Sequence, residues 1–310
     1  MQFRFRRAIN RFKHAARRRA HAVEEAPHTV LTGRGNRSPS GDIPIRAFGF
    51  PAHVDRPWFV FATDHNLKVH PKYREAKAGD HEAAIQLVWD LARPLGEQAQ
   101  REIEPTVIFV APHAREASGD NAIPQALAAY MAVMTGASLD TGIVQATKVF
   151  HTGADPMERI IARPYFQGAV RRDAAYFLVD DVTTMGGTLA ELSDYIRRRG
   201  GAIAGVAVLV NASRSGRMCA STATVRQLSR RYGDEIQQIF GIETHALTYD
   251  EAQYLIGFRT VEEIRNRCAQ ARQKTTLRLR SKGVHAVEEG RQGLRVASEP
   301  PRALIRRNRR

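Results

Sequence analysis

The residues best suited to chemistry are two adjacent carboxylates followed by a glycine-rich loop. They lie in residues 176–189, YFLVDDVTTMGGTL, where an apolar run ends in Asp180 and Asp181. Hydroxyl side chains and two glycines follow before a helical pattern begins. Glycines let backbone N–H groups converge on one point, and a helix N-terminus adds positive potential there. The spacing therefore predicts a phosphate site, beside carboxylates that suit ribose hydroxyls or a magnesium ion.

This loop must be positioned by the elements on either side of it. Residues 175–182 predict a buried strand and residues 188–199 a helix, and ligands of open parallel sheets bind at the carboxyl ends of strands. Further strand patterns cover residues 106–111, 143–149 and 202–210, and helical patterns follow Asp80, which can cap a helix ended by Pro94, and cover residues 123–135. The alternation predicts an α/β fold with a twisted, mainly parallel sheet flanked by helices.

The chain becomes helical after the last of these strands. Thr248 with Glu251, and Thr260 with Glu263, are capping boxes ahead of apolar stripes, and Cys268 on the second stripe is expected in the core. We divide the chain into a basic N-terminal tail (1–50), an α/β domain (51–215, core 106–210), a helical extension (216–272) and a basic C-terminal tail (273–310).

The net charge of +15 belongs to the two ends of the chain. Residues 1–50 carry +8 and residues 271–310 carry +9, which leaves −2 between them. A nucleic-acid-binding fold usually has its basic face on the fold itself. Non-specific phosphate contact, targeting and simple solvation of the tails remain open. Two cysteines exclude a disulfide framework, and no apolar run suits a membrane helix or a signal peptide, so we expect a cytoplasmic protein without membrane contact.

Residues 179–188 (VDDVTTMGGT) resemble the phosphoribosyl-pyrophosphate motif of the type I phosphoribosyltransferases. The motif is an apolar strand, two acids, an aliphatic pair, small or hydroxylic residues, glycine and a hydroxyl. The matching residues are Asp180, Asp181, Val182, Thr184, Gly186 and Thr188. Phe177, Thr183 and Met185 depart from the pattern. The resemblance covers residues 107–210, about a third of the chain, with this motif its only specific segment.

The resemblance implies magnesium-dependent transfer of phosphoribose from phosphoribosyl pyrophosphate (PRPP) to an acceptor, with release of pyrophosphate. Asp180 and Asp181 would act in catalysis by holding the ribose hydroxyls, and would hold Mg²⁺ indirectly. The 5′-phosphate would lie in the loop formed by Thr184, Met185, Gly186, Gly187 and Thr188. The acceptor, nucleobase-like or an amine, is not legible in the sequence.

The resemblance also implies roles for three further segments. The loop at 112–119 would hold pyrophosphate, with Arg115 and His113 as candidate ligands. A flap at 148–167 would close over the site and bring Lys148 and Arg163 to the developing charge as catalytic cations. A hood over the acceptor would come from residues 45–80 or 211–218.

An alternative reading keeps the binding site but not the reaction. The chain would then be a regulatory module that senses PRPP or a nucleotide, docked to nucleic acid by its basic tails. Met185 in the phosphate loop and the unusual sequence of residues 112–119 leave room for this alternative. The sequence also leaves a homodimer open.

Overall fold

The computed structural model describes residues 44–113, 121–146, 154–281, 285–287 and 295–297. Its central sheet has five strands: β1 (Trp58–Phe61), β2 (Ile108–Val110), β3 (Ser138–Asp140), β6 (Ala175–Thr183) and β7 (Ala202–Asn211). They pair in the order β1-β7-β6-β2-β3, and every pairing is parallel. Two antiparallel pairs lie outside this sheet: β4 (Val144–Gln145) with β5 (Phe166–Gln167), and β8 (His285–Val287) with β9 (Arg295–Ala297).

Helices cover both faces of the sheet and continue after its last strand. Those before β6 are α1 (His65–Lys68), α2 (Tyr73–Lys77), α3 (His81–Leu91), α4 (Arg93–Glu102), α5 (Ile123–Thr135) and α6 (Pro156–Ile161). Those after it are α7 (Gly187–Arg198), α8 (Thr222–Tyr232), α9 (Glu235–Phe240), α10 (Tyr249–Ile256) and α11 (Val261–Ser281). The predicted α/β fold with a helical C-terminal part is confirmed. None of these helices combines the length and apolar character that a bilayer crossing demands.

The central strand β6 is buried on both faces. Phe177 and Val179 pack against α3 and α5, whereas Tyr176 and Leu178 pack against α7. Successive side chains of a strand point to opposite faces, and apolar residues on both faces give a nearly continuous apolar run. The pattern that identified this strand in the sequence is therefore a consequence of its two covered faces.

One predicted strand was misplaced. The strand expected at 143–149 is displaced: the sheet strand is β3, and only Val144–Gln145 of that segment forms a described strand, outside the main sheet. The Asp140 carboxylate accepts the N–H groups of Gly142 and Ile143, and this turn ends β3. The helix capped by Asp80 ends at Leu91, just before Pro94 as predicted, and Pro94 itself lies in the first turn of α4, where its missing N–H is not needed.

The tail boundaries also need correction. Residues 1–43 lie outside the described residues, but Pro44–Phe50 belong to the fold. Arg46 is fully buried, its N–H donates to Gly241 O, and its carbonyl accepts from Glu243 N. The Asp194 carboxylate accepts the N–H groups of Ala47 and Phe48. At the other end, α11 continues to Ser281, nine residues beyond the predicted limit of the extension.

The helical extension is packed against the rest of the chain around its own apolar cluster. This cluster joins residues of α8 to α11 with Met157 and Ile160 of α6, and it includes Cys268, as predicted. The capping box of Thr248 and Glu251 is present at the start of α10. At α11, Glu263 N–H donates to Thr260 Oγ1, but the Glu263 carboxylate accepts from Arg259 N–H. The extension therefore supports α6, which runs beside the predicted phosphate site.

Candidate phosphate and ribose site

The phosphate loop joins the carboxyl end of β6 to the first turn of α7. Gly186 precedes the helix with a φ of +75°, a left-handed conformation that glycine adopts without strain. The first N–H groups of α7 have no partner within the helix, as in any α-helix. No described side chain caps them either. Such amides, with the positive end of the helix dipole, favour an anion. The loop that sequence reasoning identified therefore has the geometry of a phosphate site.

The helical extension holds this loop from one side. The Thr248 hydroxyl donates a hydrogen bond of 2.6 Å to Met185 O, while Thr248 also caps α10. Met218 and Thr248 contact the position that a Cβ on Gly186 would occupy. Because the carbonyl of Met185 and the N–H of Gly186 point in opposite directions across one planar peptide, fixing the carbonyl turns that N–H away from Thr248. The extension thus orients part of the loop's donor set.

A cation reaches the loop from α6. Arg159 Nη1 donates to Thr184 Oγ1 at 3.1 Å, and its Nε donates to Ala154 O. The short helix that carries Arg159 begins with a capping box of Asp155 and Glu158. Asp155 in turn pairs with Arg267 of α11 at 2.6 Å. The Arg159 guanidinium is therefore held next to a predicted phosphate ligand by a backbone carbonyl, on a helix whose N-cap residue forms an ion pair with α11.

The two carboxylates of the motif differ in their surroundings. Asp181 is buried, and within the described part of the chain three groups donate to it: Lys77 Nζ at 2.6 Å and Asn121 Nδ2 at 2.9 Å to Oδ2, and Val182 N–H at 2.9 Å to Oδ1. A carboxylate has about four acceptor positions, so Asp181 has little capacity left for a ligand. We call Lys77 and Asp181 the edge pair.

Asp180 is half-buried and accepts the N–H of Asp181 at 2.8 Å. Burial and the neighbouring Asp181 charge raise the pKa of Asp180 well above its usual range, because both disfavour a second negative charge. Raised carboxyl pKa values are frequent at functional sites. Of the two acids, Asp180 is the one that the protein leaves available to a ligand.

The edge pair is held in place by a backbone hydrogen bond between α2 and α5 and by the side chain of Asn121. Ala122 N–H donates to Ala76 O at 3.1 Å, so the end of α2 is tied to the start of α5. Lys77 and Asn121 are the adjacent residues on these two segments, and they meet on the same oxygen of Asp181. The hood segment 45–80 therefore contributes Lys77 to the site, which the sequence gave no reason to select.

Arg163, predicted as a flap cation, lies in the interior. Its guanidinium forms a two-bond contact with Glu191, at 2.7 and 2.8 Å, and donates to the carbonyls of Gly241 and Pro44. Arg46 pairs with Glu251 and lies 3.5 Å from Glu191. We call Arg46, Arg163, Glu191 and Glu251 the core cluster. Because its side chains are at most 6% exposed, Arg163 is corrected from a catalytic to a structural residue.

The structure describes some of the remaining predicted site residues and not others. His113 follows β2 at the same sheet edge as the acids, and its Nδ1 lies 3.1 Å from Ala111 O. Arg115 and Lys148 lie outside the described residues, and their roles stay predictions. In the other hood segment, Asn211 Oδ1 accepts from the backbone and hydroxyl of Ser213, which shapes the turn after β7.

Two known proteins are similar to this chain over part of their length. No protein-family model matches the sequence. Protein TraN of Escherichia coli is 32% identical over 225 residues, which cover 69% of this chain and 49% of TraN. An uncharacterized protein of Haemophilus influenzae is 40% identical over 129 residues, 41% of this chain and 29% of that protein. The chain thus spans about half the length of TraN and less of the second relative.

Solved structures with detectable similarity include two purine phosphoribosyltransferases. Adenine phosphoribosyltransferase of Saccharomyces cerevisiae is 13% identical, with 48% of this chain and 74% of that chain covered and a TM-score of 0.28. Hypoxanthine phosphoribosyltransferase of Staphylococcus aureus is 15% identical, with 44% and 66% covered and a TM-score of 0.28. With such limited overlap, the function has to be argued from the residues of the site.

Proposed function

We propose that the protein is a magnesium-dependent phosphoribosyltransferase, which moves phosphoribose from PRPP to an acceptor and releases pyrophosphate. The observation that carries this proposal is the loop of residues 184–188. It lies at the carboxyl edge of a parallel sheet, with the left-handed Gly186 at its turn and the acids Asp180 and Asp181 directly before it. A phosphate loop and acids in this order suit a sugar phosphate better than a free anion.

The 5′-phosphate would bind at the start of α7. The loop supplies backbone N–H groups and the hydroxyls of Thr184 and Thr188, and none of these carries a full charge. Arg159, which donates to Thr184 Oγ1, would supply that charge. Charge-assisted hydrogen bonds to phosphate are roughly twice as strong as neutral ones, so Arg159 is proposed as a 5′-phosphate ligand beside the loop.

The ribose would be held mainly by Asp180. Its carboxylate keeps acceptor capacity for hydroxyl groups, whereas Asp181 is occupied by Lys77 and Asn121. The same arrangement fits a magnesium ion that is held through substrate oxygens and only indirectly by these acids. When bound, the metal would neutralise part of the pyrophosphate charge. Asp180 therefore carries the ribose contact and Asp181 organises the donors around it.

The reaction would be a displacement at the anomeric carbon. A bond forms from the acceptor to that carbon, and the bond to the pyrophosphate oxygen breaks, so pyrophosphate leaves with the electron pair. The protein would act by positioning the ribose through Asp180 and the loop, and by placing positive charge near the leaving group. None of these steps needs a protein nucleophile.

Titration calorimetry with PRPP and MgCl₂ tests the binding site. We expect wild type to bind, and Asp180→Asn to bind at least about tenfold more weakly, since hydrogen bonds to charged groups contribute about 1.5–3 kcal/mol. Asp234→Asn, an exposed acid ahead of α9, is the matched control and should bind as wild type does. Folded wild type that gives no heat with PRPP would overturn the proposal.

Turnover distinguishes the enzyme from the regulatory alternative. Pyrophosphate release from PRPP is measured against a panel of nucleobases and amines, with wild type and Asp180→Asn side by side. Release with one acceptor class, lost in the variant, supports the transferase. PRPP binding without release across the whole panel would instead favour a sensing module.

A further inference from the structure

We propose that Lys77 is a ligand of the pyrophosphate group, and that Asp181 and Asn121 are positioning residues that aim its ammonium group. This inference rests on the proposed function and adds a cation that the PRPP motif does not contain. It also assigns a role to Asp181 other than binding the ribose.

The position of Lys77 is defined by the backbone. The hydrogen bond from Ala122 N–H to Ala76 O holds the last turn of α2 beside the residues that follow the predicted pyrophosphate loop at 112–119. Strands β2 and β6 are neighbours in the sheet, so His113, after β2, and the two acids of β6 share one edge. Lys77 reaches this edge through Asp181, and it is the edge at which we place the pyrophosphate.

The Lys77 side chain is partly exposed, and among the described residues its ammonium group makes one hydrogen bond, to Asp181. The Lys77 side chain is 36% exposed, whereas Asp181 is 6% exposed, so the pair extends from the interior towards solvent. An ammonium has three N–H donors, and Asp181 takes one of them. Lys77 can thus bind an anionic oxygen without giving up its anchor.

Calorimetry with three probes tests the role of Lys77. Magnesium pyrophosphate, PRPP with magnesium, and ribose 5-phosphate are each titrated into wild type, Lys77→Gln and Lys68→Gln. Lys68 is the matched control, because it also pairs with an aspartate but lies on α1 with 56% of its side chain exposed. For Lys77→Gln we expect affinity for the two pyrophosphate-bearing probes to fall about tenfold or more, and ribose 5-phosphate to change less than about twofold.

The outcomes separate this inference from the proposed function. If Lys77→Gln binds magnesium pyrophosphate as wild type does, Lys77 is not a ligand, even if PRPP binding is intact. An equal loss for all three probes would show a general disturbance of the site and also overturn the assignment. Wild type that binds magnesium pyrophosphate but not PRPP would refute the transferase and leave the inference standing. Wild type that binds neither refutes both.

A double-mutant cycle tests whether Asp181 acts through Lys77. Asp181→Asn alone should weaken binding of magnesium pyrophosphate, because the ammonium loses its anchor. In the Lys77→Gln background the same substitution should have less than about a twofold further effect, since coupled residues are not additive. Additive losses would show that Asp181 contacts the ligand by itself, and would overturn its role as a positioning residue.

Discussion

Two groups of paired charges lie close to the phosphate loop, and they differ in how far their cations are exposed to solvent. In the core cluster, acids and carbonyls surround the Arg163 guanidinium, and the arginines and acids are at most 6% exposed. In the edge pair, the buried acid is satisfied but the cation is 36% exposed. The charge of a residue therefore does not decide between a structural and a binding role. Exposure to solvent does, since Arg46 Nε in the core cluster also lacks a hydrogen-bond partner among the described residues but is buried.

Loss of one partner should affect the stability of the protein differently in the two groups. Removing one partner of a buried ion pair leaves an uncompensated charge in a medium of low polarity, which is strongly destabilising. When Lys77 is lost from the edge pair, the buried Asp181 carboxylate still accepts from Asn121 Nδ2 and Val182 N–H. The core cluster should therefore affect unfolding, and the edge pair and its neighbours should affect ligand binding.

The largest expected effect is on the core cluster. Arg163→Leu leaves Glu191 without its two-bond partner and should lower the free energy of unfolding by about 3–5 kcal/mol. Denaturant unfolding measures this change. Arg93→Leu, which removes an exposed cation of a surface pair, is the control and should unfold close to wild type. If the two variants were equally stable, the core cluster would not have the structural role described above.

An intermediate effect is expected for Arg159, which, like Lys77 of the edge pair, is proposed to bind the ligand. Arg159→Gln removes a charged donor next to Thr184 and should weaken ribose 5-phosphate by about tenfold, with magnesium pyrophosphate nearly unchanged. Arg226→Gln, an exposed arginine on α8, serves as control in the same calorimetric titrations. A loss confined to pyrophosphate would assign Arg159 to the opposite end of the substrate.

A third effect concerns Asp180 and how its ionisation makes the stability of the protein depend on pH. Because the folded protein holds the Asp180 proton more tightly than the unfolded chain does, ionisation of Asp180 costs stability as pH rises above the unfolded value of about 3.9. Asp180→Asn should thus be more stable than wild type at pH 7, and the difference should shrink as pH falls. Denaturant unfolding over a pH series measures it. A variant that is less stable at pH 7 would contradict the raised pKa.

Much of the fold could be predicted from the sequence. The apolar run of β6 and the glycines after it stand together in the chain, so Asp180 and the loop at 184–188 could be located without a structure. Helix α5 was equally clear, because its apolar stripe ends at Gly136, which adopts the left-handed conformation of a helix stop. Local patterns of this kind depend only on neighbouring residues.

The remainder depends on contacts between distant segments. Lys77 joins Asp181 across 104 residues, and Arg163 reaches Glu191 and the carbonyl of Gly241. An arginine in a polar segment indicates a surface cation unless its acidic partner is known, which is why Arg163 was placed on a flap. Arg159 was visible in the same segment, but only its contact with Thr184 distinguishes it from its neighbours.

The contact between Arg46 and Glu251 can form only after most of the chain has been synthesised. The two residues are 205 positions apart, and Glu251 belongs to the same capping box as Thr248, which holds Met185 of the phosphate loop. During synthesis, the sheet strands and α7 emerge before the segment that braces the loop. Such long-range closure is slow, because chain entropy is lost before the contact forms. A nascent chain that ends at residue 240 would contain every residue of the motif and still lack the support that shapes its phosphate loop.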